Sequence, residues 1–153
     1  MSGSVIVEVV LLSEHDGTLR YRSHSDALGT GTHPDAVARH LSGLQPGMPG
    51  GLLHSTSWRY DDGGLILTYA ALPDPHPELA TTALPVDAMV TCEDPLVPSP
   101  AVIDLDAVAA HACRHLALLH ATDPVVRAAA DEARPLWDVI VKLPPGPAGG
   151  LSL

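Results

Sequence analysis

The sequence predicts an α+β fold, in which a mixed or antiparallel sheet of hairpins packs against helices. Three observations predict it. Apolar, β-branched runs separated by turn residues dominate the first half of the chain. Apolar residues at helical spacing dominate the second half. Apolar residues make up 46% of the 153 residues and charged residues only 17%, which argues against a disordered chain or a fibrous repeat.

The chain opens with a predicted hairpin. Residues 5–12 form a β-branched apolar run, and residues 18–23 alternate apolar and basic side chains. Asp16 and Gly17 lie between the two runs and are typical of a tight turn. Two antiparallel strands are therefore expected here.

A short helix and a second hairpin follow. A helix is predicted over residues 34–44, because Thr32 or His33 can cap it and Pro34 suits its first turn. Strands over residues 52–60 and 65–72 are joined by an Asp-Asp-Gly-Gly sequence, the clearest turn signal in the chain.

The second half is predicted to be helical after an extended connection. Residues 73–85 are proline-rich and are predicted to form a loop, with another strand over residues 86–92. A helix capped by Asp104 or by the residue before it is expected to run to about Ala121. A further helix starts near Pro124 and breaks near Arg134, because Pro135 lacks a backbone donor.

Length and charge limit the organisation and the partners. Residues 1–143 are predicted to form one domain, and residues 144–153 a disordered tail. Neither a membrane span nor a secretion signal is apparent, so a cytoplasmic location is expected. The net charge is −10 and Lys142 is the only lysine, which argues against nucleic acid as a partner.

No catalytic motif is found. The chain has no phosphate-binding loop with its lysine, and Ser55 and Ser57 lie in a predicted strand and not on a nucleophile elbow. Cys92 and Cys113 are interpreted as small buried hydrophobes, since neither a disulfide framework nor a reactive thiol is indicated. No catalytic residue and no cofactor is predicted.

The best metal-like spacing is that of His111 and His115, four residues apart on a predicted helix. A third ligand could come from Asp104, Asp106, Cys113 or His120, but Cys113 projects from another side of that helix and His120 lies off the shared stripe. The favoured interpretation is that these histidines edge the solvent face of the helix, and no metal site is predicted.

A small-ligand site is predicted on the third strand. Strict alternation places His54 and Trp58 on one face and Ser57 and Arg59 on the other, which brings aromatic, hydroxyl and guanidinium groups to one strand. Arg39, on the preceding helix, is a further candidate for binding an anion.

The alternative is structural. Trp58 and Tyr60 would then pack beneath helices, and Arg59 would pair at the surface with Asp61 or Asp62.

The order of these elements resembles a Nudix domain over most of the chain. The family's signature helix carries Arg-Glu-x-x-Glu-Glu-x-Gly. With Arg39 on the signature arginine, His40, Gly43 and Leu44 stand where the metal-binding glutamates belong, and Pro46 replaces the glycine. The resemblance therefore implies the fold without the Mg²⁺-dependent hydrolysis of diphosphates, because Mg²⁺ prefers carboxylate oxygens.

Three functions remain open at this point. The first is a catalytically silent module that binds a small molecule or a partner protein. The second is a metal-dependent hydrolase of nucleoside diphosphate derivatives with substituted ligands. The third is a structural homodimer, suggested by the alanine-rich helices over residues 107–121 and 125–133.

Overall fold

The computed structural model of the chain describes residues 4–45, 48–61, 64–80, 82–84, 105–143 and 149–150. Six strands lie within these ranges: β1 Val5–His15, β2 Thr18–Ala27, β3 Leu52–Asp61, β4 Gly64–Leu72, β5 Thr82–Leu84 and β6 Gly149–Gly150. The helices there are α1 Pro34–Ser42, α2 Leu105–Thr122, α3 Pro124–Asp131 and α4 Arg134–Ile140, with a 3-10 turn at Pro77–Leu79. The predicted α+β class is confirmed.

The strands form one mixed sheet in the order β5-β2-β1-β4-β3-β6. β1–β2 and β3–β4 are the two predicted antiparallel hairpins. The hairpins join through a parallel pairing of β1 with β4, which requires the chain to cross over between them, and α1 lies in that connection. β1 is therefore central, which suits its nearly continuous apolar run.

Helices cover both faces of the sheet. α1 packs on one face, over a core formed by Val7, Val9 and Leu11 of β1 together with Tyr69 and Ala71 of β4. We call this the α1 face. On the opposite face, the other side of the same strands packs against α2, α3 and α4 around Trp137, Leu116 and Ile140. We call this the α2 face.

Local sequence signals set the ends of several elements. Asp16 and Gly17 have φ angles of 51° and 78°, which a two-residue hairpin turn requires, so the predicted turn is confirmed. α1 begins at Pro34, and the Nδ1 atom of His33 accepts a hydrogen bond from the backbone N–H of Asp35 at 3.1 Å. α1 ends at Ser42, before the predicted residue 44, because Gly43 adopts the left-handed conformation with φ 70°.

The connection that follows β4 differs from the prediction. Residues 73–85, predicted as an extended loop, contain the 3-10 turn and β5, which pairs antiparallel with residues 19–21 of β2. The helices start and break as expected: Asp123 caps α3, and the chain restarts as α4 at Arg134.

Some predictions fall on other parts of the chain. The strand expected over residues 86–92 lies outside the described residues. Of the tail expected to be disordered, the structure describes only Gly149–Gly150, which pair in parallel with Ser57 and Trp58 of β3. None of the helices in the described ranges is long and apolar enough to cross a membrane.

Candidate functional site

A pocket of about 420 Å³ lies where the C-terminal end of α1 meets the start of β3. Its apolar lining comes from Leu44 and Met48 of the connecting segment and from Leu52 and Leu53 of β3, with Gly51 between them. A volume of this size falls within the range of about 300–1,000 Å³ that is typical of small-ligand sites. The pocket is therefore large enough for a small organic molecule.

Three polar residues complete the described lining: Arg39, Ser42 and Gln45. The buried hydroxyl of Ser42 donates to the carbonyl oxygen of Arg39 at 2.8 Å and accepts from the backbone N–H of Leu44 at 3.1 Å. The Gln45 side-chain amide donates to the carbonyl oxygen of Gly43 at 3.4 Å. These bonds hold the end of α1 in place. Arg39, which is exposed, is the only cationic residue of the described lining.

The connecting segment is held against the helices of the α2 face. Gly50 has φ 71°, and a Cβ atom there would lie 3.1 Å from Ala133 Cβ and 3.2 Å from the carbonyl oxygen of Ala129. The backbone thus approaches the junction of α3 and α4 as only glycine allows. This contact positions the segment that supplies Met48 and Gly51 to the pocket.

A second polar cluster lies on the α2 face. Arg59 donates from Nη1 and Nη2 to the two carboxylate oxygens of Glu8, at 3.0 and 3.2 Å. The hydroxyl of Thr68 donates to Glu8 Oε1 at 2.9 Å and accepts from Arg59 Nη1 at 3.2 Å. Both charged side chains are 11% exposed. Arg59 therefore pairs with an acid, as the structural alternative expected, but the acid is Glu8 and not Asp61 or Asp62.

Two histidine rings, those of His54 and His115, are in contact on the same face of the sheet. The ring of His115 on α2 is buried and packs edge-on against the ring of His54 at a centroid distance of 5.5 Å. The expectation that His115 edges the solvent face of its helix is therefore wrong, because the start of β3 lies against this side of α2. The hydroxyl of Ser57 is buried on the same sheet face and has no hydrogen-bond partner among the described residues.

A β-bulge explains why the face assignment from strict alternation is wrong. The pairing register of β3 with β4 shifts between Ser55 and Ser57, so the alternation of side chains restarts. Ser57 and Arg59 consequently share the α2 face with His54. Trp58 lies opposite Leu67 on the α1 face.

Trp58 and Tyr60 form an exposed aromatic pair. Their rings meet edge-on at 5.8 Å, and the residues are 44% and 65% exposed. The alternative that they pack beneath helices is therefore wrong, because α1 covers the other end of this face, over Val9 and Leu11.

The five predicted ligand-binding residues do not form one site. Arg39 lines the pocket, His54, Ser57 and Arg59 lie on the α2 face, and Trp58 lies on the α1 face. Sequence reasoning missed the apolar lining, because glycines and prolines such as those of residues 43–51 indicate only where a helix ends. Two apolar residues, Leu44 and Met48, within a glycine- and proline-rich connection that leads into Leu52 and Leu53 were the available signal.

The described residues offer no candidate for a metal site or for a reactive thiol. No group of three or more histidine, cysteine, aspartate or glutamate side chains there could hold a metal ion. Burial raises the pKa of Cys113 to about 12, so the thiol stays protonated at neutral pH. This confirms the interpretation of Cys113 as a small buried hydrophobe, and Cys92 lies outside the described residues.

Tyr69 connects the sheet to the start of α1, where its hydroxyl donates to Asp35 Oδ1. Burial, and then this hydrogen bond, raise the pKa of Tyr69 above its usual value of about 10. The folded state therefore holds the phenolic proton more tightly than the unfolded chain does. The resulting stabilisation is complete below about pH 10 and is lost as the pH rises through the folded-state pKa.

We expect Tyr69→Phe to remove this alkaline dependence. The free energy of unfolding should fall between about pH 9 and about pH 11 by less in Tyr69→Phe than in the wild type, because the variant has no phenol to ionise. Urea denaturation at both pH values measures it. The exposed Tyr60→Phe is the matched control, and an equal fall in Tyr69→Phe and the wild type would contradict the prediction.

In comparisons with known proteins, the chain matches no protein-family model, and no curated protein is significantly similar to it.

Proposed function

We propose that this chain is a catalytically silent, Nudix-like module that binds a small molecule in the pocket between α1 and β3. The observation that carries the proposal is the pocket itself, a space of about 420 Å³ whose described lining is mostly apolar and includes one arginine. Ligand sites are usually mostly apolar and contain a few placed polar groups.

The residues at the end of α1 support a binding role over hydrolysis. The Nudix resemblance places Leu44 where a metal-binding glutamate would stand, and Leu44 lines the pocket. His40 and Gly43 occupy the other two glutamate positions. An apolar side chain cannot ligate Mg²⁺, which takes oxygen ligands, but it can contact an apolar ligand.

The proposal is tested by a thermal-shift panel on the purified protein. The panel combines small aliphatic and aromatic acids, amines and alcohols with nucleoside diphosphates, each with and without Mg²⁺, Mn²⁺ or Zn²⁺. A compound at 100 times its dissociation constant should raise the free energy of unfolding by about 2.7 kcal/mol. A flat panel, or metal-dependent cleavage of a nucleoside diphosphate, would contradict the proposal, and cleavage would instead support the hydrolase hypothesis.

A pocket-filling variant locates the binding. Met48 lines the pocket and is half-buried, so Met48→Trp should fill part of the space and weaken binding of any compound that stabilises the wild type. Leu79→Trp adds the same side chain at an exposed position outside the pocket and should leave binding unchanged. Equal effects of the two variants would place the binding elsewhere. Light scattering on the same samples tests the homodimer hypothesis.

A further inference from the structure

We infer that the pocket selects a small carboxylate with an apolar chain or ring, bound without a metal ion. This inference rests on the proposed function and names its ligand class. The juxtaposition that carries it is a single arginine, Arg39, beside four apolar residues in a described lining that contains no acid.

Arg39 is free to bind an anion. Its guanidinium makes no hydrogen bond or ion pair with any other described residue. The planar fork of an arginine matches the two oxygens of a carboxylate, and such charge-assisted bonds are about twice as strong as neutral ones. An anionic head group is therefore the partner that this side chain fits.

The other polar side chains of the described lining already make hydrogen bonds to the backbone. The Ser42 hydroxyl donates to one backbone group and accepts from another, and the Gln45 amide donates to a backbone carbonyl. Arg39 thus supplies the only charged donor of the described lining, beside the second N–H of the Gln45 amide. A substitution at Arg39 should consequently affect anion binding much more than one at Ser42.

One cation is too few for a polyphosphate. A nucleoside diphosphate carries two or more negative charges and needs further cations or a metal ion, and the whole chain has a net charge of −10. The described lining supplies neither a second basic side chain nor a carboxylate that could hold Mg²⁺. A singly charged anion matches a lining that offers one basic side chain.

The apolar part of the ligand has a lining to match. Leu44, Leu52 and Leu53 present aliphatic side chains, and the flexible thioether of Met48 can adjust to different shapes. Each methylene group that leaves water for such surroundings should tighten binding about fourfold until the pocket is full. Affinity is therefore expected to rise with chain length.

The test is calorimetric titration with compounds that share a chain and differ in head group: octanoate, octylamine and 1-octanol, with ADP plus Mg²⁺ as the polyanion. Octanoate should bind more tightly than the other three. Hexanoate and decanoate then measure the dependence on chain length.

Arg39 variants make the test specific. Arg39→Gln should weaken octanoate binding by about 10- to 100-fold, and Arg39→Lys, which keeps the charge without the fork, should weaken it less. Arg134→Gln is the matched control. Arg134 is exposed on α4, and this substitution changes the net charge by the same amount as Arg39→Gln. The comparison of head groups uses the wild-type protein, so it tests the ligand class even if a variant fails to fold.

The outcomes separate this inference from the proposed function. If 1-octanol or octylamine binds as tightly as octanoate, or if Arg39→Gln binds octanoate normally, the ligand class is wrong while the pocket still binds ligands. If ADP with Mg²⁺ binds more tightly than octanoate, the ligand class is also wrong. If none of the compounds binds, this inference fails, and a flat thermal-shift panel would show that the proposed function fails with it.

Discussion

Replacing Arg59 by methionine should lower the free energy of unfolding by about 3–5 kcal/mol, the usual cost of removing one partner of a buried ion pair. The carboxylate of Glu8 would then remain in the interior, 11% exposed and without its cation. The hydroxyl of Thr68 would still donate to Glu8 but would lose the donor that it accepts from. Chemical denaturation at neutral pH measures the loss.

The double variant Glu8→Met/Arg59→Met distinguishes a stranded charge from a simple loss of packing. Buried pairs replaced by apolar residues of similar volume are often neutral or more stable, so the double variant should recover most of the loss. Arg134→Met is the control, since its ion pair with Asp131 is exposed and should contribute at most about 1 kcal/mol. A double variant no more stable than Arg59→Met would contradict this account.

Local patterns account for what the sequence predicted well. Asp16-Gly17 and the prolines at residues 34, 124 and 135 act through the backbone within a few residues, so the first hairpin and the starts of α1, α3 and α4 could be predicted without tertiary information. The sheet and helix layers follow from these elements and their apolar faces.

The candidate site depends on long-range contacts, which local patterns do not encode. Glu8 and Arg59 are 51 residues apart in the chain, and nothing near Arg59 indicates Glu8 as its partner. The bulge between Ser55 and Ser57 could not be predicted either, because the sequence of β3 is compatible with both assignments of its side chains to the two sheet faces. A one-residue shift moves every later side chain to the opposite face, which is why His54 and Trp58 were predicted to lie together.

Asp74→Ala should lower the free energy of unfolding by about 3 kcal/mol, because it removes a buried carboxylate that a cation and a backbone donor share. Asp74 accepts two hydrogen bonds from Arg22, both at 2.8 Å, and a third from the backbone N–H of His76 at 2.8 Å. Arg22 would stay charged after the substitution, because a guanidinium keeps its proton at neutral pH even without an acidic partner. Of its hydrogen bonds to described residues, Arg22 would keep the contact of Nη1 with His24 Nε2 at 2.8 Å.

The effect of Asp74→Ala should extend to the pocket. Asp74 anchors the turn after β4, and the ring of the next residue, Pro75, lies 3.6 Å from where a Cβ of Gly43 would be. Gly43 ends α1 beside the pocket, so loosening this turn removes support from the segment that carries Arg39. Hydrogen exchange should therefore speed up both at residues 74–80 and in the last turn of α1. Glu78→Ala, which removes an exposed carboxylate from the same turn, should leave both segments unchanged. Faster exchange confined to residues 74–80 would show that the turn and the pocket are independent.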